Sequence, residues 1–405
     1  MQIFKMKMQN ILEQIQELSE KLFVETIRLR RKIHQYPELS EREFVTARYI
    51  YNTLKSYGID SHLHLNDTAV IGTIEGRENG VMIGLRADTD ALPIEEKTNA
   101  PYESVNKGIM HACGHDVHAA SLLTTANILQ QTRELWSGKV QLFFQPSEEK
   151  YPGGAIRMIK AGLMDENIKA MLAMHVSPEL DTGKVGMKEG KFMASTDEIY
   201  VCIKGIGGHA AVVHSLANPI MITAHALLEV DKQFKAMVPD EFPTVFTFGH
   251  IIGAGKTNII PNEVCLEGTL RTFDENWRKE AHKLIKKTIV KVAAEHGGTA
   301  NVRIVTGYPV LCNDANITRW SEEAAKCYLG EDNVLEIPSR MTGDDFVYFT
   351  QQVPSLMYRL GVKIEGKELN LHAPDFDINE TALKHSPGLM AYLAVNLLSK
   401  LKTNG

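Results

Sequence analysis

The chain reads as an α/β protein with a smaller unit inserted into it, and three observations support this. Short β-branched runs alternate with amphipathic helical stretches, the mark of a large mixed sheet with helices on both faces. Between Gly186 and about Val305 the order changes to βαββαβ, the split βαβ or ferredoxin-like arrangement. The 405 residues exceed what one hydrophobic core usually organises, since domains run to roughly 150 residues. The expected division is residues 1–186 with 306–405 as the main domain and 187–305 as the insert.

From Ile11 to His34 the apolar positions Ile11, Ile15, Leu18, Leu22, Ile27 and Ile33 recur mostly at three- to five-residue steps, and Pro37 closes a long amphipathic helix. A second helix is expected over about Glu41 to Tyr57. Strands follow at Thr68 to Ile74 and Val81 to Leu85, a helix at Val117 to Gln131, and strands at Val140 to Phe144 and Ala170 to Val176. Inside the insert the strand Thr196 to Lys204 leads to a helix over Pro219 to Phe234. Strands Thr244 to Ile252 and Ile260 to Thr272, a helix Glu275 to His296 and a strand Asn301 to Val305 complete it. The strand Ser355 to Gly361 and a helix from about Asn379 to Leu401 end the chain, with no repeat, low-complexity segment or long linker.

Composition excludes several classes of function. Apolar residues at 44% and charged residues at 23% are ordinary for a folded protein, so disorder and fibre are ruled out. The 44 basic against 50 acidic residues give a net charge of −6, which argues against a nucleic-acid-binding face. Cys113, Cys202, Cys265, Cys312 and Cys327 are odd in number, scattered and without C-x-x-C, so a disulfide framework is not expected and a reducing cytoplasm is. The N-terminus shows no signal-peptide core and no run suits a membrane span, so neither export nor membrane insertion is expected.

Two glycine strings invite a nucleotide reading. HIIGAGKT, from His250 to Thr257, ends like a phosphate loop, but His250 stands where the first glycine belongs and Pro261 follows where a helix should start. GIGGHA, from Gly205 to Ala210, follows a strand, yet no immediate helix continues it. Neither carries weight alone. A G-x-S-x-G elbow and an H-E-x-x-H helix are both absent.

The chemistry lies elsewhere. MHACGHDVHAA packs His111, Cys113, His115, Asp116 and His118 into eight positions before a helix that Asp116 could cap. Thiolate, imidazole and carboxylate are the donors that bind zinc and similar divalent ions. Any one of them is more often a satisfied buried residue; the cluster around a flexible glycine shifts the balance toward a metal. After the strand to Phe144, QPSEEKYPGGA places Glu148 and Glu149 at a strand end, where ligands gather in open α/β sheets. Neighbours in sequence point different ways, so one can bind metal while the other faces a reacting water. His175 ends the strand AMLAMHV, and His372 sits in LHAPDFDINE. A lone histidine in an apolar strand is usually a core residue, but donors recurring at strand ends favour one shared site.

RRKIHQYPELSERE, GLRADTDALPIEE, MHACGHDVHAA, QPSEEKYPGGA, GGHAA, TNIIPNEV, GTLRTF and LHAPDFDIN occur in order from residue 30 to 380. Together they resemble the M20 metallopeptidase family, in its aminoacylase, hippurate hydrolase and indole-acetyl-amino-acid hydrolase branch. The resemblance implies a zinc-dependent exopeptidase-like catalytic domain holding two divalent ions (zinc, manganese, cobalt or nickel) and a lid domain that commonly mediates dimerisation. It implies Cys113, His115, Glu149, His175 and His372 as metal ligands and Glu148 as general base. It gives His209 the developing oxyanion, and Asn258 and Arg271 the substrate carboxylate. Other branches have a ligand histidine in H-x-D, where this chain has Arg86 and Asp88; Asp88 is assigned to orienting a ligand by hydrogen bonding. His111, His118 and His214 are supporting or structural candidates, and His34, Pro37 and Glu38 a helix-ending motif.

The function so implied is hydrolysis of the amide bond of N-acyl-L-amino acids, without a covalent intermediate. Deacetylation of N-acetyl-diaminopimelate or cleavage of short peptides is the alternative. A binding protein that had lost catalysis should lack a ligand or the base, and all six matched positions are present.

Overall fold

The computed structural model describes residues 2–212 and 217–404, so His214 lies outside the described residues. The chain divides into two compact units: residues 1–190, 312–338 and 345–405, and residues 191–311 with 339–344.

In the first stretch lie α1 (Gln2–Gln35), α2 (Phe44–Ser56), β1 (Asp60–His64), β2 (Ala69–Glu75), β3 (Met82–Asp88), α3 (His115–Gln131), β4 (Lys139–Gln145), α4 (Gly154–Lys160), β5 (Ile168–Asp181) and β6 (Val185–Met187). Next come β7 (Gly190–Met193), β8 (Ser195–Lys204), β9 (Gly208–His209), α5 (Pro219–Met237), β10 (Thr244–Ile252), β11 (Ile259–Ile260), β12 (Glu263–Thr272), α6 (Glu275–Glu295) and β13 (Thr299–Thr306). The chain ends with β14 (Leu311–Asn313), α7 (Ala315–Leu329), β15 (Val334–Glu336), α8 (Val347–Thr350), β16 (Ser355–Lys363) and α9 (Ser386–Asn404).

The first unit is built on an eight-stranded mixed sheet in the order β1-β2-β4-β3-β5-β16-β6-β15. Strand alternation sends side chains to two different layers. Val140, Leu142 and Phe144 of β4 join the core that holds Ile15 of α1, Leu122 of α3 and Leu393 of α9. Phe143, between them, packs instead on Phe349 of α8, with ring centroids 5.3 Å apart. Helices therefore cover both faces. β3, β4, β5 and β16 run parallel and are buried almost end to end, as strands sandwiched between helix layers must be.

The second unit carries an antiparallel sheet in the order β10-β12-β8-β13. Ile199, Val201 and Ile203 of β8 pack with Val230 and Phe234 of α5 and Ile285 and Ile289 of α6, a separate core. That is the ferredoxin-like order expected of βαββαβ.

The structure departs from the sequence reading in several places, among them β5, which runs on to Asp181 so that His175 lies within the strand and not at its end. The expected strand Ile260–Thr272 is two: β11 pairs with β9, and Pro261, which has no N–H for a ladder, separates it from β12. The expected last helix is a short turn, Glu380–Lys384, followed by α9, whose second residue is Pro387. The polar strand β1, the helices α4, α7 and α8 and the short strands β6, β7, β9, β14 and β15 have no counterpart in the reading. Finally, the cysteine spacing points away from disulfides, yet Cys202 and Cys265 are bonded. The antiparallel register of β8 and β12 sets them opposite one another across a separation of 63 residues, which spacing alone does not reveal. Among the described residues no helix is long and apolar enough to cross a membrane.

Candidate metal centre

β3 and β4 are parallel with Asp88 opposite Gln145, so both chains leave the sheet at the same edge. From there β4 runs into Glu148 and Glu149. β5, parallel to β3, carries His175 two residues beyond Ala173, which pairs with Arg86. Cys113 and His115 flank Gly114, which precedes α3 at φ 84° and where a Cβ would lie 2.5 Å from Val176. His372, also at positive φ (62°), is tied by its N–H to the Ala112 carbonyl at 2.8 Å.

Four of the five expected ligands and the expected base lie buried or nearly so, and His372 is half exposed. The ligating atoms of Cys113, His115 and His175 fall within 4.8 Å of one another. So do those of Cys113, Glu149 and His372, and those of His115, Glu148 and Glu149. Cys113 belongs to two of these groups.

Hydrogen bonds decide which ring nitrogens face the centre. His115 donates through Nδ1 to the Asp90 carbonyl at 2.9 Å, and His175 through Nδ1 to the Val176 carbonyl at 2.8 Å. Each presents Nε2 inward. His175 Nε2 lies 3.6 Å from Cys113 Sγ, and His372 Nε2 lies 3.2 Å from Glu149 Oε1. His118 is spent otherwise: Nδ1 donates to Asp88 at 2.5 Å and Nε2 accepts the Val176 N–H at 3.0 Å. Both of its nitrogens are thus engaged, although His118 also groups with Asp88 and His115, their ligating atoms within 4.8 Å of one another.

Asp88 is held by Arg86, whose guanidinium also reaches Gln145 at 2.9 Å and Asp345 at 2.8 Å. Arg86, standing where other branches carry a ligand, is thus locked into an ion network. Burial would raise the Asp88 carboxyl, but Arg86, His115 and His118 outweigh it and keep it ionised. Burial opposes charge on His115, yet Asp88 and Cys113 raise its pKa well above the usual imidazole range. Hydrogen bonds to Cys113 and Glu149 push His372 up to about 10. Burial, then Arg359, keep His175 neutral.

The residues fit a metal. Among the described residues His115 Nε2 and Glu149 Oε1 are buried without a hydrogen bond of normal geometry, an arrangement costly unless a cation takes them up. The field that draws protons onto His115 and His372 favours a divalent ion in their place. The donor set of sulfur, imidazole and carboxylate suits zinc and its neighbours.

Asp116 is a correction. Gly114 occupies the cap position of α3 without a side-chain bond, and Asp116 turns inward to Arg30 at 2.6 Å and His34 at 2.8 Å. His34, read as part of a helix end, is a buried member of this network and also meets Glu96 at 3.0 Å. Glu38 accepts from the N–H groups of Val45 and Thr46 at the start of α2. His209, Asn258 and Arg271 belong to the second unit. There Ala210 donates its N–H to the Asn258 carbonyl at 3.0 Å, bringing the first two together. Arg271, on β12, donates to the Met341 carbonyl at 3.0 Å.

Two residues escaped the sequence reading. Asp90 accepts the backbone N–H groups of Glu148 and Glu149, each at 3.0 Å, and Glu43 accepts that of Ser147 at 2.7 Å. Both lie in the motifs DTD and SERE, which supply the signal without the role.

A thiolate, imidazole and carboxylate cage at the strand ends of an open α/β sheet, with a further glutamate beside it, defines a metal-dependent hydrolase. Comparison with known proteins gives the family. Residues 84–396 match the model of peptidase family M20/M25/M40. An N-acetyl-L-cysteine deacetylase of Bacillus subtilis (strain 168) is 38% identical over 88% of this chain and 84% of its own. Thermostable carboxypeptidase 1 of Saccharolobus solfataricus is 34% identical over 92% of this chain and 95% of its own. The crystal structure of the Bacillus subtilis YXEP protein, described as a dinuclear metal-binding peptidase, superimposes with a TM-score of 0.80 at 32% identity, covering 94% of this chain and 99% of that one. The chain belongs to the M20/M25/M40 peptidase family and hydrolyses amide bonds.

Proposed function

We propose that this protein is an amidohydrolase that removes the acyl group from N-acyl-L-amino acids, with Glu148 as general acid and base. The observation that carries the reading is the adjacency of Glu148 and Glu149 beside His115, one carboxylate for the metal and one for the proton. When bound, the two ions supply Lewis acidity to a water and to the amide carbonyl. Glu148 takes the proton released as the water attacks and returns it to the departing amine. Cys113, buried and set between His175 and the Glu149–His372 pair, acts as a ligand and not as a nucleophile. His209 is assigned to the oxyanion, and Arg271 with Asn258 to the substrate carboxylate, a planar cation suiting a planar anion.

The relative named an N-acetyl-L-cysteine deacetylase supports removal of an N-acyl group, and the one named a carboxypeptidase leaves peptide cleavage as the second reading. We further propose a homodimer through the second unit. Its edge strand β10 leaves Val245, Ile251 and Ile252 exposed, and unpaired apolar edges favour pairing. The deciding experiment measures turnover of N-acetyl, N-benzoyl and indole-acetyl amino acids, N-acetyl-diaminopimelate and dipeptides, with zinc, manganese, cobalt or nickel and after chelation. Metal-dependent release of acid from the acyl amino acids is the expected result; turnover confined to dipeptides would favour the peptidase, and none at all would overturn both.

A further inference from the structure

The turn that carries Glu148 and Glu149 presents three consecutive backbone N–H groups, and two buried carboxyl side chains accept all three. Glu43 Oε1 takes the N–H of Ser147 at 2.7 Å. Asp90 takes that of Glu148 on Oδ1 and that of Glu149 on Oδ2, both at 3.0 Å. Ser147 sits at φ 57°, a left-handed conformation that a serine adopts only when its surroundings hold it there. Its surroundings do so at every polar atom. Ser147 Oγ accepts the Glu41 N–H at 2.8 Å and lies 3.3 Å from Glu43 Oε1, while its carbonyl accepts the Gly154 N–H at 3.0 Å. Gly154 is forced, because a Cβ there would lie 1.7 Å from the Pro146 carbonyl oxygen. Asp90 in turn is fixed by Ser40 Oγ at 2.7 Å, and its own carbonyl orients His115.

Neither acid is explained by packing. Glu43 is fully buried just ahead of α2, and its second oxygen, Oε2, has no hydrogen-bond partner among the described residues. Burial, reinforced by the Asp90 charge, pushes its carboxyl up to about 8, so at neutral pH it carries a proton and spends its accepting oxygen on Ser147. An apolar side chain would fill such a place without loss unless the acceptor itself were needed.

We propose that Glu43 and Asp90 are positioning residues that clamp the Ser147–Glu149 backbone, Glu43 aiming Glu148 for proton transfer and Asp90 holding Glu149 for the metal. The division follows from where each bond falls. Glu43 grips only the residue before the base, so its loss reaches Glu148 and leaves the ligand held; the Asp90 side chain is the one that grips the ligand Glu149, along with the N–H of Glu148. This inference rests on the functional reading above for the role of Glu148, and on the donor set alone for that of Glu149.

The test compares Glu43→Ala, Glu43→Gln, Glu43→Asp and Asp90→Ala in the full chain. It measures kcat and KM on an N-acyl amino acid that the wild type hydrolyses, and zinc affinity by calorimetric titration of the metal-stripped protein. Glu43→Ala should lower kcat about 100-fold, as an ångström of misplacement does, with KM and zinc affinity within threefold of wild type. Glu43→Gln keeps an oxygen facing Ser147 and should restore kcat to within threefold, whereas Glu43→Asp, which withdraws the acceptor, should not. Asp90→Ala should weaken zinc binding about 10- to 100-fold. The proposal is overturned if Glu43→Ala turns over like wild type, if Glu43→Gln is as impaired as Glu43→Ala, or if Asp90→Ala binds zinc normally. If Glu43→Ala does not fold, the contrast between Gln and Asp decides the same point. A wild type that hydrolyses no amide overturns the functional reading instead, and zinc affinity still judges the Asp90 half of the clamp.

Discussion

In the function proposed above, the adjacent Glu148 and Glu149 are given unlike work. Both share a backbone clamp and both group with His115, yet Glu149 alone also meets His372, at 3.2 Å. Replacement of Glu148 by Gln should therefore lower kcat by about 10²- to 10⁴-fold, the span of general acid and base catalysis, with metal content unchanged by elemental analysis. Cys113→Ala removes the sulfur common to two donor groups and should leave the protein with less bound metal in the same assay. The residues expected as ligands were singled out by motif and donor chemistry, and the fold brings their donor atoms together. Asp90 and Glu43 were not, because each acts through backbone N–H groups about 60 and 100 positions away along the chain, and nothing in a linear motif reports whose amide a carboxylate will accept.

At the level of elements, the centre depends on how α3 begins. Gly114 holds a left-handed turn against Val176, so Gly114→Ala meets both a disfavoured φ and a side chain 2.5 Å away. It should cost about 1 to 3 kcal/mol in denaturant unfolding and reduce zinc affinity with it. In the second unit Asp197 is the buried hub of β8, accepting from Arg278 at 2.6 Å, His282 at 2.6 Å and the Gly307 N–H at 3.1 Å. Burial alone would raise its pKa, but His282 and Arg278 outweigh it and lower it. Its contribution is present above the unfolded carboxyl value of about 3.9 and is lost as pH falls through the lower folded one. Asp197→Asn should remove that part of the acid sensitivity, so the variant's stability should fall less between pH 5 and pH 2 than the wild type's, measured by urea titration. The helices and strands themselves were mostly legible from periodicity; the edge strand β1 was not, since five residues of sequence DSHLH carry little apolar signal.

For the molecule as a whole, all five expected ligands belong to the first unit, and each unit has its own hydrophobic core. A ligand bound only by the native state stabilises what it binds, by about 2.7 kcal/mol at a hundred times its dissociation constant. Chelation should thus lower the melting of the first unit, and Asp197→Asn that of the second. Calorimetry on holo, chelated and variant protein checks this, and an equal effect of chelation on both transitions would contradict it.

Composition, periodicity and donor-rich motifs were enough to establish an α/β chain with a ferredoxin-like insert, the family it belongs to and a metal-dependent chemistry, because each of these leaves a local trace in residue type and spacing. Convergence required the folded chain. Parallel register brings Asp88, Gln145 and His175 to one sheet edge, antiparallel register joins Cys202 to Cys265, and the buried carboxyl groups of Glu43 and Asp90 hold the turn that carries Glu148. Those are contacts between distant segments, set by packing and hydrogen bonding that no short stretch of sequence contains.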